Sequence, residues 1–164
     1  MPELVADGPI TVLFLCTENA AHSQIAEAFL HRKGGNRFVV GSAGTTPAVV
    51  LNPLAMAALA DFGVTWRGQP KPIEAVIDEA WDLVIALDDR PGVDCPTLPG
   101  RPLYAHWRIP GPVVDGSGSG YQEVVTDLSR RIDLLVALRP EQLRAAVLDQ
   151  RAQAADGELV PQPA

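Results

Sequence analysis

The feature that most constrains this chain is a junction near its start. Residues 10–15, ITVLFL, form an almost uninterrupted apolar run, followed by Cys16, six further residues and an amphipathic helical pattern. A strand without in–out alternation has to be covered on both faces, which points to a parallel sheet. The helical pattern over residues 23–33 places Ile25, Ala26, Phe29 and Leu30 on one face and stops at Gly34 and Gly35. The same alternation then recurs. Residues 37–43 read as a second strand ending at Gly44. Asn52 reads as a helix cap with Pro53 in the first turn, and Leu54, Ala55, Ala58, Leu59 and Phe62 face inward as far as Gly63. A weaker helix over residues 73–80 leads to a strand over residues 82–87, and a proline-rich loop over residues 91–102 reaches a short strand near residues 103–105. The glycine-rich residues 115–120 form a flexible loop before a helix over residues 121–138, with Val124, Val125, Leu128, Ile132 and Leu135 inward. Pro140 interrupts it, and residues 141–155 continue helically.

Strand–helix alternation of this kind predicts an α/β fold: a single-domain three-layer sandwich, with a central four-stranded parallel sheet and helices on both faces. The expected organisation is an N-terminal extension (residues 1–9), one domain (residues 10–155) and a disordered tail (residues 156–164). Composition narrows the function. A net charge of −7 with no Lys/Arg cluster argues against nucleic acid and anionic membranes as partners. Small anions, held by local geometry, stay open. No apolar run approaches the roughly 20 residues of a membrane-spanning helix. The acidic start, MPELVADG, lacks the basic flank of a signal peptide, so a cytoplasmic location is expected. The two cysteines, Cys16 and Cys95, fit no zinc spacing, and neither a structural disulfide nor a bound metal or cofactor is expected.

In an open parallel sheet, ligands sit beyond the carboxyl ends of the strands, and Cys16 falls there. The first N–H groups of the following helix lack intrahelical partners, and the helix dipole favours negative charge. The same field lowers a thiol pKa towards a reactive range. Ser23 is placed to donate to the sulfur and Asn19 to brace the loop by side-chain hydrogen bonds. Two readings of Cys16 stand beside each other, a nucleophile and a small buried hydrophobe.

The residues also carry a resemblance. VLFLCTENAAHSQIAEAFL is similar to the phosphate-binding loop and first helix of the low-molecular-weight protein tyrosine phosphatase superfamily, and more so to its arsenate reductase branch. Those loops run cysteine, five residues, arginine, serine; Cys16, Asn19, Ser23 and Gln24 match. VGSAGTTPA (residues 40–48), Asn52-Pro53 through ALADFGV, and QPKPI (residues 69–73) resemble the segments that follow. WDLVIALDD, DCPTLPG and AHW resemble the reductase branch in particular, and the similarity spans residues 10–138. It implies that Cys16 attacks an oxyanion (arsenate or phosphate) cradled by Thr17, Glu18, Asn19, Ala20, Ala21, His22 and Ser23, with Ser23 and His22 assisting. It also implies an external thiol reductant, either a low-molecular-weight thiol or a redoxin, with Cys95 as a resolving thiol or an inert one.

The departures from the family pattern are specific. His22 stands where the family has the loop arginine, whose fork binds an oxyanion in two places at once; imidazole offers one donor at most. Glu18 puts a carboxylate beside the cradle, which repels a dianion or restricts binding to protonated forms. Gly111 occupies the place of the acidic aspartate, and Asp115 is the nearest replacement. Asp88 stands where thioredoxin-coupled reductases carry the first of two redox cysteines, so a three-thiol relay is excluded. Lys71, Arg90 and Arg108 are the cations able to lean towards the site, and only Tyr104, Tyr121, Trp66, Trp81 and Trp107 are available to line its mouth. Trp81 and Trp107 read as core, His31 as a surface residue and His106 as a satisfied structural histidine.

Losing both arginine and aspartate hurts phosphomonoester hydrolysis more than arsenate chemistry, because arsenate esters form readily. The sequence therefore favours a thiolate-based arsenate reductase over a phosphatase. The alternative from another class is a catalytically impaired pseudoenzyme kept as an oxyanion-binding or protein-interaction module. A metal site made of Cys16, His22 and Glu18 is a weak third, since ligands on one tight loop rarely converge.

Overall fold

The computed structural model describes residues 8–88, 97–112 and 120–155. Cys95, Arg90, Asp115 and both terminal segments named above lie outside these residues, apart from residues 8 and 9 of the extension.

Four parallel strands, β1 (Ile10–Cys16), β2 (Phe38–Gly44), β3 (Leu83–Ala86) and β4 (Leu103–His106), lie in the order β2-β1-β3-β4. Four helices accompany them: α1 (His22–Gly34), α2 (Pro53–Asp61), α3 (Tyr121–Ala137) and α4 (Pro140–Ala155). The sequence order from strand to helix to strand sends the chain across the sheet and back, and β1 becomes a central strand buried almost throughout. Its residues split by parity. Ile10, Val12, Phe14 and Cys16 join the core under α1, α2 and α3, whereas Leu13 and Leu15 face Ile73, Val76, Trp81 and Leu98 on the other side. The α/β sheet architecture is the one that the alternation implied.

Helix α1 buries the expected Ile25, Ala26, Phe29 and Leu30, and α3 buries all five expected apolar positions. Asn52 caps α2, its Oδ1 accepting from the N–H groups of Leu54 and Ala55 at 2.9 and 3.2 Å. Three expectations need correction. Leu54 and Phe62 are 55% and 47% exposed; α2 is nine residues long, and the stripe that reaches the core is Ala55, Ala58 and Leu59. The helix expected over residues 73–80 is only a 3-10 turn, Ile73–Ala75. There the carbonyl of Val76 accepts from the Trp81 indole at 2.9 Å and from the Glu79 N–H three residues on, so no α-helical ladder is built. Trp107 is half-buried, its ring tilted at 50° to that of Phe14 and packed against the core rather than fully inside it.

Helix α4 lies against β1 and β4 and ties the amino ends of the strands together. Arg151 donates to the carbonyls of Gly100 and Trp81 and to Asp82, and Arg144 donates to the carbonyl of Gly8. At the opposite end, beyond the carboxyl end of β1, a cleft opens in front of Cys16.

Candidate active site

Strand β1 ends at Cys16, and residues 17–21 loop over to the N-terminus of α1. The loop is held from behind by the chain that leaves β2. Thr45, Thr46, Ala48 and Asn52 donate their backbone N–H groups to the carbonyls of Cys16, Thr17, Glu18 and Ala20, at 3.2, 2.8, 3.0 and 2.9 Å. This close approach explains Gly44: a Cβ there would come within 2.5 Å of the Thr17 carbonyl oxygen. Asn19 adopts a left-handed φ of 51°, which asparagine tolerates better than most residues. Its N–H then donates to Cys16 Sγ at 3.3 Å.

A relay of side chains stands behind the sulfur. Asn19 Nδ2 donates to Ser23 Oγ (2.8 Å) and to Ser42 Oγ (2.9 Å), while Asn19 Oδ1 accepts from the Lys71 N–H (2.9 Å) and Gln24 Nε2 (3.1 Å). Ser23 Oγ accepts from Asn19 Nδ2 and lies 2.9 Å from Cys16 Sγ, where its hydroxyl is placed to donate to the sulfur once the sulfur bears charge. Ser42 in turn donates to Glu27 Oε1 at 2.6 Å. Gln24 spends its amide on the carbonyls of Asn19 and Gln69 and accepts from the Trp66 indole at 2.8 Å. Asn19, Ser23, Gln24 and Ser42 are completely buried, and each finds its partners.

Electrostatics differ from the sequence expectation. Burial pushes the Cys16 thiol up; the bonds from Ser23 and Asn19 oppose this, and the Asp88 carboxylate adds to the rise. Burial thus works against the low-pKa thiolate that a helix N-terminus alone suggests. Burial likewise pushes Glu27 up, against the pull of the Ser42 hydrogen bond, Lys71 and His31.

In front of the sulfur is a cleft of about 200 Å³ lined by Cys16, Thr17, Glu18, Ala20, Ala21, His22, Asn52 and Tyr121. Of the loop positions expected to hold an oxyanion, five line it, and Asn19 and Ser23 stand behind its wall. Helix α1 begins without a side-chain cap, and no acidic residue sits in its first turn, which suits an anion at that end. Thr17 Oγ1 donates to the Asp88 carboxylate at 3.0 and 3.1 Å. His22 Nε2 lies 3.4 Å from the Pro110 carbonyl, and its ring meets Tyr121 edge-on. Lys71 and Arg108 do not line the cleft. Lys71 Nζ reaches the Gln69 carbonyl instead. His106 is satisfied as expected, with Nε2 2.6 Å from the Asp88 carbonyl, and His31 is exposed. Among the described residues no group of three His, Cys, Asp or Glu side chains is placed to hold a metal.

Of the aromatic residues that the sequence offered for the mouth, Tyr121 lines the cleft, and Asn52, read only as a helix cap, lines it too. Asn52 Nδ2 donates to Tyr121 Oη at 3.2 Å, and burial followed by the Glu18 carboxylate holds the phenol above its ordinary pKa. Residue 121 is a hundred positions from the loop, so only the fold joins them.

Residues 11–149 match the family described as low molecular weight phosphotyrosine protein phosphatase. An arsenate reductase of Bacillus cereus is 33% identical over 124 residues, covering 74% of this chain and 90% of its own. Among solved structures, the thioredoxin-dependent arsenate reductase of Corynebacterium glutamicum is 32% identical with a TM-score of 0.66, over 88% of this chain and 67% of its own. An arsenate reductase in its phosphate binding state is 29% identical with a TM-score of 0.67, over 78% of this chain and 97% of its own.

Proposed function

The chain belongs to the low molecular weight phosphotyrosine protein phosphatase family, and from that premise we propose that it is an arsenate reductase whose nucleophile is Cys16. The observation that carries this reading is the sulfur's position. It sits at the carboxyl end of a central strand, receives hydrogen bonds from Ser23 and Asn19, and faces a cleft at a helix N-terminus. Those bonds strengthen when the sulfur bears charge, so they favour the attacking form over the resting thiol.

The chemistry balances in two steps. The Cys16 thiol and the doubly protonated arsenate monoanion give a singly protonated thioarsenate monoanion on the Cys16 sulfur, and water. A sulfur–arsenic bond forms and an arsenic–oxygen bond breaks. An external thiol then attacks the Cys16 sulfur and passes its proton to the departing group. This gives a mixed disulfide on Cys16 and the doubly protonated arsenite monoanion, with arsenic reduced from the +5 to the +3 state. A second external thiol, or the second thiol of a dithiol, releases the Cys16 thiol and carries away the disulfide. The reductant is a thiol from outside the chain, either a low-molecular-weight thiol or a redoxin of the kind that the Corynebacterium glutamicum relative is named for. Such a cycle suits the reducing cytoplasm. Cys95 is the candidate resolving thiol within the chain.

The backbone N–H groups at the start of α1 hold the oxyanion, with His22 as a single side-chain donor in place of an arginine fork. With neither that fork nor an aspartate at residue 111, phosphomonoester cleavage is the weaker activity. The binding-module alternative draws no support from the relatives named above, which are reductases. The test is arsenite formation by the purified protein with arsenate and excess dithiothreitol. The wild type makes arsenite and Cys16→Ser makes none above the thiol-only background; equal rates for the two would overturn the assignment.

A further inference from the structure

We propose that the Tyr121 hydroxyl touches the bound oxyanion and donates the proton taken by the departing oxygen. The inference rests on the arsenate reductase reading and supplies what that reading lacks. Attack by sulfur expels an oxygen as hydroxide unless a proton arrives, and Gly111 carries no side chain to bring one.

Three observations carry it. First, Tyr121, the opening residue of α3, lines the same cleft as Cys16, with its ring against His22. Second, its hydrogen-bond direction is set. Asn52 Oδ1 is committed to the first N–H groups of α2, which turns Asn52 Nδ2 towards the phenol oxygen at 3.2 Å. The phenol oxygen is thus an acceptor towards Asn52, and its O–H acts as a donor towards another group. Asn52 is itself fixed to the loop by its N–H on the Ala20 carbonyl, so the geometry of phenol and loop is coupled. Third, the group keeps its proton at rest, since burial and Glu18 both oppose the phenolate. Even held above its ordinary pKa, a phenol is a stronger acid than water, the conjugate acid of the departing hydroxide, so the transfer runs downhill.

The step balances. The Cys16 sulfur bonds to arsenic, the arsenic–oxygen bond breaks, and the leaving oxygen takes the Tyr121 proton to depart as water. The phenolate then recovers the proton given up by the Cys16 thiol. Asn52, through the bond that orients the phenol, is a positioning residue.

The experiment pairs two reactions of the same sulfur. Alkylation by iodoacetamide expels iodide and needs no proton, whereas attack on arsenate expels oxygen and needs one. Tyr121→Phe, measured with saturating reductant, should lower arsenite formation by about 100-fold, the lower end of what general acid catalysis supplies. It should leave the Cys16 alkylation rate and the KM for arsenate within about twofold. Arsenite formation unchanged in Tyr121→Phe would overturn the proposal, as would an equal fall in both reactions, which marks a structural role. Loss in Asp115→Asn with Tyr121→Phe unaffected would assign the proton to Asp115 and also overturn it. A wild type that forms no arsenite fails at the earlier reading, and the proposal falls with it.

Discussion

The two walls of the cleft are built on different principles. Behind Cys16, the buried set Asn19, Ser23, Gln24 and Ser42 forms a closed relay in which the donors and acceptors are matched. In front, Glu18 and His22 stand at a rim open to solvent, and Tyr121 reaches in from another helix. The relay residues are those that match the family motif, and the two departures within the loop, Glu18 and His22, fall on the rim. Physics gives a reason. A buried polar group whose partner is removed costs about 1–3 kcal/mol, so a relay member cannot change alone. An exposed rim residue changes at little cost in stability, within about 0.5 kcal/mol, and only the chemistry registers it.

The most damaging break of this contrast is Asn19→Ala. It takes one partner each from Ser23, Ser42 and Gln24, strands the Lys71 N–H, and places alanine at a positive φ. Destabilisation of about 3 kcal/mol is expected, a fall in melting temperature of roughly 6–12 °C for a chain of this size, read by calorimetry. A loss no larger than that of a rim substitution would show that the relay is not the rigid wall.

The relay also explains what was legible in the sequence. The βα junction and the pattern Cys16, Asn19, Ser23, Gln24 lie within one local unit, where apolar periodicity and spacing speak directly. The rest depended on distant partners. The 3-10 turn replaced the expected helix over residues 73–80 because the Trp81 indole takes the Val76 carbonyl. Thr17 meets Asp88 across 71 positions, and Tyr121 reaches Asn52 across 69, contacts that no local pattern encodes. The raised Cys16 pKa was missed for the same reason: burial depends on what packs over the sulfur, while the helix N-terminus is visible locally.

Ser23→Ala comes next in size. It removes the hydroxyl donor from the sulfur, so the thiol pKa rises further and the thiolate fraction at neutral pH falls. Alkylation near pH 7 should slow by about tenfold or more, the worth of one hydrogen bond to a charged group, and recover as pH rises above the thiol's range. The stability consequence has a definite sign. A thiol pKa raised on folding contributes stability that is intact below the unfolded-state pKa and lost as pH rises through the folded value. Wild type should therefore lose stability in mildly alkaline solution faster than Cys16→Ser, as denaturant midpoints across pH would show.

On the rim, His22→Arg should act on binding and hardly on stability. An arginine in that place offers a two-pronged donor to an oxyanion, and phosphate should protect Cys16 from alkylation at about tenfold lower concentration. Glu18→Gln should shift protection in the same direction by a smaller factor, since it removes a repulsion without adding a donor. Protection unchanged in both would mean that the rim does not face the bound anion.

The smallest expected effect tests where the relay ends. Trp66 is half-buried and donates to Gln24 Oε1 at 2.8 Å, and Gln24 in turn holds the Asn19 carbonyl and side chain. Trp66→Phe keeps an aromatic ring beside His31 and removes the donor, leaving a buried amide oxygen unpaired. The cost should be about 1 kcal/mol, or 2–4 °C in melting temperature, with Cys16 alkylation changed less than twofold. Two hydrogen bonds separate the indole from the loop, and the Lys71 N–H and Gln69 carbonyl continue to hold Asn19 and Gln24 in its absence. If alkylation instead slows as much as in Ser23→Ala, the rigid wall extends through Gln24 to the indole, and the boundary between the matched interior and the variable rim moves outward by one side chain.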